Sequence, residues 1–159
     1  MLNIHQKYCR ETFYDGQLVG FEPVYPSDFN FAYDVVDVIA EKEPVRRAML
    51  WCNEAGEEHT FTFSEISKAS NRAANLFSSL GISRGDRVLL ILKRHYQFWF
   101  ALLGLHKLGA VGIPATNQLT KKDIAYRCNA AGIKAVICTT DGDVAEHVDT
   151  ALPECPTVE

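Results

Sequence analysis

Between residues 64 and 80 the apolar side chains return every three or four positions, at Ile66, Ala69, Ala73, Leu76, Phe77 and Leu80. That period predicts a helix with one buried face, capped by Ser64, favoured at its positive end by Glu65 and stopped by Gly81. The pattern then changes. Residues 88–92 read Val-Leu-Leu-Ile-Leu, an unbroken aliphatic run that suits a strand covered on both faces, central in a parallel sheet. Residues 96–108 are apolar on nearly every side, with Phe98, Trp99, Leu102, Leu103 and Leu105. They predict a helix sandwiched between layers, with Trp99 in the core and Gly109 closing it.

A strand over 110–114 follows, then a helix opened by Thr120 with Asp123 three places on, a capping-box variant, and ended by Gly132. Residues 134–139 predict a third strand, 143–150 a short helix, and Pro153 and Pro156 a tail. From residue 86 the order is strand, helix, strand, helix, strand. It requires right-handed crossovers and a parallel sheet, half of a doubly wound, Rossmann-like α/β unit.

Upstream, Phe31, Val35, Val38 and Ile39 repeat at helical spacing behind Asn30, a candidate cap, and the helix stops near Glu43-Pro44. Residues 48–52 and 60–63 are β-prone runs joined by Asn53-Glu54-Ala55-Gly56, which predicts a hairpin. Residues 1–30 are aromatic and turn-rich, with Pro23, Pro26 and no sustained period; they read as an extended arm. The expected organisation is an arm over 1–30 and an α/β subdomain over 31–159, its half-sheet with flanking helices preceded by the helix and hairpin.

The chain has 159 residues, enough to bury a core without disulfides or metal. Its 16 Lys and Arg stand against 20 Asp and Glu, for a formal charge of -4. No basic cluster exceeds pairs such as Arg46-Arg47 and Lys121-Lys122, so nucleic acid is not an expected partner. The longest apolar stretch, 98–105, is far short of a membrane span and predicts a soluble protein. The first twenty residues lack a secretory pattern, and Glu11 and Asp15 make them a poor transit peptide. Five scattered cysteines without a Cys-x-x-Cys pair argue against a disulfide framework or a zinc site. A reducing cytoplasm is the expected location.

Neither of the glycine-rich phosphate-binding signatures occurs, nor does a Gly-x-Ser-x-Gly elbow. The central strand leads instead to Lys93, Arg94 and His95, at the carboxyl edge where open α/β sheets place ligands. Those three can hold an anion, although a solvated polar turn is the plainer reading. The connection containing Thr116, Asn117 and Gln118 lies at the same edge and either faces a ligand or simply leads into the cap at Thr120. No histidines pair at metal-ligand spacing, and His106 reads as a structural histidine on an apolar helix.

The runs Thr62-Phe63-Ser64-Glu65-Ile66, Gly85-Asp86-Arg87-Val88 and Leu108-Gly109-Ala110-Val111-Gly112-Ile113-Pro114 resemble the N-terminal part of the adenylate-forming superfamily, the AMP-binding acyl-CoA synthetases. The likeness spans about residues 25–159. Residues 113–127 and 149–156 are similar to the medium-chain acyl-CoA synthetase branch. The resemblance implies a two-step ligase: a short- or medium-chain carboxylic acid is activated with ATP as an acyl-adenylate and then passed to coenzyme A. It implies ATP, coenzyme A and Mg for the whole enzyme, with none bound tightly by these residues alone.

In that family the phosphate loop, the ribose-holding aspartate and the C-terminal domain with its catalytic lysine come later and are absent here. No catalytic and no metal-ligating residue is therefore expected in this chain, which should not adenylate by itself. Gln118 matches a glutamine at the coenzyme A channel of the medium-chain branch and is the one cofactor-binding residue carried over. The arginines that acetyl-CoA synthetases place after the third strand are missing from Thr139-Thr140-Asp141-Gly142-Asp143-Val144-Ala145-Glu146-His147, which carries several acids instead. A free-standing α/β binding module of the same fold is the alternative. A phospho-receiver is not, because the first parallel strand ends in Lys93-Arg94 rather than acids. An incomplete sheet also predicts an apolar face and pairing into a homodimer across it.

Overall fold

The computed structural model describes residues 2–159, which form two compact units, one running to Ser67 and the other from Lys68 onward. The first unit begins with a short helix α1 (His5–Tyr8) and strands β1 (Cys9–Tyr14) and β2 (Gln17–Pro23), paired antiparallel. Residues read as an arm thus carry a hairpin. Its turn is Asp15-Gly16, both with positive φ (49° and 75°), the geometry for which Asp-Gly is suited. The alternation that would have announced the strands is interrupted: the register slips between Thr12 and Phe13, so Thr12 faces Gly20 while Phe13 faces Leu18.

The expected helix after Asn30 forms in two parts, a π-helical segment Ala32–Asp37 followed by helix α2 (Val38–Lys42). Asn30 serves its start, its side-chain oxygen accepting from the backbone N–H of Ala32 at 3.0 Å. The predicted second hairpin is β3 (Arg47–Cys52) with β4 (Glu58–Thr62). It leads directly into helix α3 (Phe63–Ser79). The cap of α3 is Thr62 rather than Ser64. Thr62 Oγ1 accepts the N–H of Glu65 at 3.2 Å, while the Glu65 carboxylate accepts the Thr62 N–H at 2.8 Å.

The second unit is the parallel half-sheet. Strands β5 (Arg87–Ile91), β6 (Val111–Pro114) and β7 (Ala135–Cys138) lie in the order β6-β5-β7, with β5 central as its aliphatic run requires. Leu89 is level with Ile113 on one side and Val136 on the other. Helices α4 (Gln97–Leu108), α5 (Lys121–Ala131) and α6 (Val144–Ala151) follow the three strands in turn.

The side chains of β5 alternate between two cores. Val88, Leu90 and Leu92 pack with Phe77, Ala101 and Leu105, on the face covered by α3 and α4. Leu89 and Ile91 pack with Ile124, Cys128, Val148 and Ala151, on the face covered by α5 and α6. Each such aliphatic contributes about 1.5–3 kcal/mol when fully buried, and Val88 through Ile91 are buried almost completely. Adjacent strands β5 and β6 therefore send their chains to opposite faces of the sheet. That reversal opens a crevice outside their carboxyl ends.

Candidate functional site

A cleft of about 620 Å³ occupies this crevice, lined by residues 92–95, Phe98, Trp99 and residues 114–116. Local backbone bonds build its rim. Ala115 N–H donates to the Leu90 carbonyl at 2.9 Å, extending the β5–β6 ladder. The His95 N–H donates to Leu92 at 3.0 Å, folding the β5–α4 connection into a tight turn. Lys93 sits in that turn with φ 48°, a left-handed conformation costly for a side chain with a Cβ. Lys93 and Arg94 are both exposed at the rim.

The turn is anchored to the β7–α6 connection. His95 Nε2 lies 3.0 Å from Thr139 Oγ1 and 3.1 Å from Asp141 Oδ2, and Asp141 N–H donates to Thr139 Oγ1 at 3.1 Å. Lys93 Nζ stands 3.9 Å from the same Asp141 oxygen. These groups do not make a catalytic triad, because the hydroxyl and the carboxylate share one ring nitrogen, whereas a proton relay needs them on opposite nitrogens. Their effect is to tie two loops together and set the position of Lys93.

Lys93, Arg94 and His95, read as able to hold an anion but more plainly as a solvated turn, line one cleft together with Thr116. Gln118 lies outside it, exposed, with its N–H donating to Thr116 Oγ1 at 3.3 Å. Trp99 departs from the sequence expectation: it is 49% exposed and walls the cleft rather than filling the core. Its place in the first turn of α4, directly after the basic turn at the sheet edge, was the available signal. The uniformly apolar helix concealed it.

Among the described residues no group of three His, Cys, Asp or Glu side chains could hold a metal. The Mg that accompanies ATP in ligases of this kind finds no ligand set here. The turn after β5 is likewise no phosphate cradle, since it lacks glycine and offers only two cations. His106 is half-buried, and burial pushes its pKa down, so it favours the neutral form. No helix of the described residues is long and apolar enough to cross a membrane.

The family model described as AMP-binding enzyme matches residues 36–159. Acyl-coenzyme A synthetase ACSM5, mitochondrial, of Rattus norvegicus is 39% identical over 147 residues, 89% of this chain and 25% of the relative. Acyl-coenzyme A synthetase ACSM3, mitochondrial, of Pongo abelii is 38% identical over 148 residues, again 89% and 25%. Among solved structures, a Mycobacterium tuberculosis fatty acyl CoA synthetase superposes with a TM-score of 0.71 at 25% identity, covering 81% of this chain and 25% of that one. A benzoate CoA ligase from Burkholderia xenovorans LB400 gives a TM-score of 0.66 at 26% identity, covering 79% and 24%.

The chain spans about a quarter of the length of the curated relatives it matches. Those relatives also correct the expected cytoplasmic location, because they are mitochondrial enzymes. The inference from cysteine usage could not have separated the two, since free thiols are compatible with any reducing compartment. With a match that runs through every element of the parallel sheet, the chain belongs to the AMP-binding enzyme family, as an N-terminal domain homologous to the medium-chain acyl-CoA synthetases.

Proposed function

We propose that this chain serves as the N-terminal section of an AMP-forming acid–coenzyme A ligase acting on a short- or medium-chain carboxylic acid. The observation that carries the reading is the match of acyl-coenzyme A synthetases to 89% of the chain at up to 39% identity. In the whole reaction the acid carboxylate attacks the α-phosphorus of ATP, pyrophosphate leaves, and the thiol of coenzyme A then displaces AMP. That chemistry needs charge compensation at the phosphates and exclusion of water from the mixed anhydride. The sequence carries no glycine-rich phosphate loop, and the described residues hold no cluster suited to a metal, so the part we assign to them is structural and positional. The mitochondrial setting of the relatives belongs to the same proposal, and subcellular fractionation checks it.

Gln118 is the residue we assign to coenzyme A. Its exposed position on the β6–α5 connection supports the assignment. Two assays test the proposal. ATP–pyrophosphate exchange should be absent with the 159-residue chain alone, and turnover there would overturn the division of labour. In a ligase carrying this section, Gln118→Ala should raise KM for coenzyme A about 2- to 12-fold, the range for one lost neutral hydrogen bond, and leave exchange intact. An equal loss of exchange would remove Gln118 from the coenzyme A path.

A further inference from the structure

We propose that Cys128 and Cys155 form a dithiol site for exchange with a low-molecular-weight disulfide such as oxidised glutathione, closing a reversible crosslink between α5 and the segment that follows α6. The two residues are 27 positions apart in the chain and meet in one core, beneath the face of the sheet that α5 and α6 cover. Both are buried almost completely. The Cys155 Sγ–H donates to the Ala151 carbonyl at 3.1 Å, and the same side chain is hydrogen-bonded to the Cys128 thiol.

The neighbouring residues fix this approach. Asn129 Nδ2 donates to the Glu154 carbonyl at 2.9 Å, so the residue after one cysteine is bonded to the residue before the other. Lys121 Nζ lies 2.6 Å from the Glu154 carboxylate, and beyond Cys155 the Thr157 hydroxyl donates to the Ile133 carbonyl at 2.7 Å. The segment is thus tied down on both sides of Cys155. A disulfide needs Cα atoms close together and Cβ atoms that converge. Two thiols that already touch, flanked by a direct bond between their neighbours, meet that need with a small shift.

The exchange runs in two steps. Cys155 attacks first, because it lies in a short irregular segment next to the single turn Leu152–Glu154, whereas Cys128 is inside α5. A segment held by a few side-chain bonds opens more readily than a packed helix. The Cys155 thiolate displaces one glutathione thiolate from the oxidised dimer and forms a mixed disulfide. Cys128 then gives up its proton and attacks the Cys155 sulfur, expelling the second glutathione. The two protein thiols lose two electrons and two protons, and the oxidised glutathione takes them up as two thiols. Cys128 never has to meet the reagent itself. The burial that keeps its thiol protonated slows closure and makes it depend on the neighbouring sulfur. In a reducing compartment such a bond is transient and follows the local thiol–disulfide balance.

This inference goes beyond the ligase reading and does not rest on it. The reduced chain is equilibrated at pH 8 with glutathione buffers of rising oxidised fraction, quenched in acid and alkylated. Peptide mass mapping should find Cys128 joined to Cys155, two hydrogens lighter than the reduced pair, with Cys9, Cys52 and Cys138 either alkylated or carrying one glutathione each. The oxidised chain should melt about 5–15 °C above the reduced one, as a crosslink closing a loop of this size does, and dithiothreitol should reverse the shift. Cys155→Ala and Cys128→Ala should each abolish it, and either variant that folds serves as the control. Absence of the Cys128–Cys155 bond at every buffer ratio, a predominant bond to another cysteine, or an oxidised chain no more stable than the reduced one overturns the proposal. A pair that oxidises as readily in unfolding urea as in buffer also overturns it, because a site built by the fold loses its advantage there.

Discussion

Gly104 of α4 faces Ala73 of α3 so closely that a Cβ on the glycine would stand 2.8 Å from the Ala73 Cβ and 2.9 Å from the Ala74 backbone nitrogen. The approach lets α3 and α4 lie against the same sheet face, where Phe77, Ala101 and Leu105 share a core with β5.

Gly104→Ala should therefore destabilise the chain, although alanine is the better helix former by about 1 kcal/mol. The added methyl meets backbone, which cannot step aside, and overpacking of this kind costs about 1–3 kcal/mol. Urea unfolding measures the balance. Gly112→Ala makes an informative contrast, because its Cβ would meet the end of the Leu102 side chain at 2.8 Å, an atom that can rotate away. The Gly104 variant should lose more.

Asp86 sets an acid limit on stability. Its carboxyl is held below the usual range by the Ser83 backbone N–H at 2.7 Å, then by the Ser83 hydroxyl at 2.9 Å, with Lys134 at 3.2 Å adding to both. A carboxyl whose pKa is lowered by folding stabilises the folded state above its unfolded value, near 3.9. That contribution is lost as pH falls through the folded value. Asp86→Asn should lower stability at pH 7 and flatten the decline seen on acidification, measured by chemical denaturation across pH 3–7.

Lys134 gives the matching alkaline limit. Its ammonium is raised above its ordinary value, first by the hydrogen bond to Asp86. Stability from a raised lysine is complete below its unfolded pKa, near 10.4, and disappears as pH climbs through the folded one. Lys134→Met should remove this alkaline slope and part of the acidic one, because the two groups share the bond.

Thr120 and Asp123 form the capping box of α5, with Thr120 N–H donating to the Asp123 carboxylate at 3.0 Å and the Thr120 hydroxyl at 2.7 Å. Thr120→Ala should cost about 0.5–2 kcal/mol, as lost N-caps do. Thr120→Ser should retain most of it. Thermal unfolding of the pair reads the difference.

The cysteines should separate by reactivity. Cys128 is buried, and its thiol is pushed up to about 12 by burial and by the adjacent Cys155. A thiol that stays protonated is a poor nucleophile. At pH 8 a thiol-specific disulfide reagent should modify exposed Cys52 rapidly and spare Cys128 until the chain unfolds. Rapid labelling of Cys128 in the native state, located by peptide mass mapping, would contradict the packing of α5.

The order and type of the elements from residue 47 onward were written in local pattern. An unbroken aliphatic run marked β5 as central, and period-3.6 apolar spacing marked α3, because burial on both faces or on one face imposes those spacings directly. The family was carried by something other than period, the resemblance of the runs 62–66, 85–88 and 108–114 to the adenylate-forming motifs. Patterns fail where their period is broken or ambiguous. The register slip at Thr12 and Phe13 hid the first hairpin although Asp15-Gly16 announced its turn, and adjacent Thr62 and Ser64 both suited the cap of α3.

The cleft was decided by tertiary structure. Lys93, Arg94 and Thr116 could be placed at the sheet edge from sequence, but only the packing of α4 on one face and α5 on the other opens space between them. That packing also turns Trp99 outward and brings Asp141 beside Lys93 from 48 positions along the chain. Sequence period records which residues are buried in an element; which loops converge depends on how the elements stack.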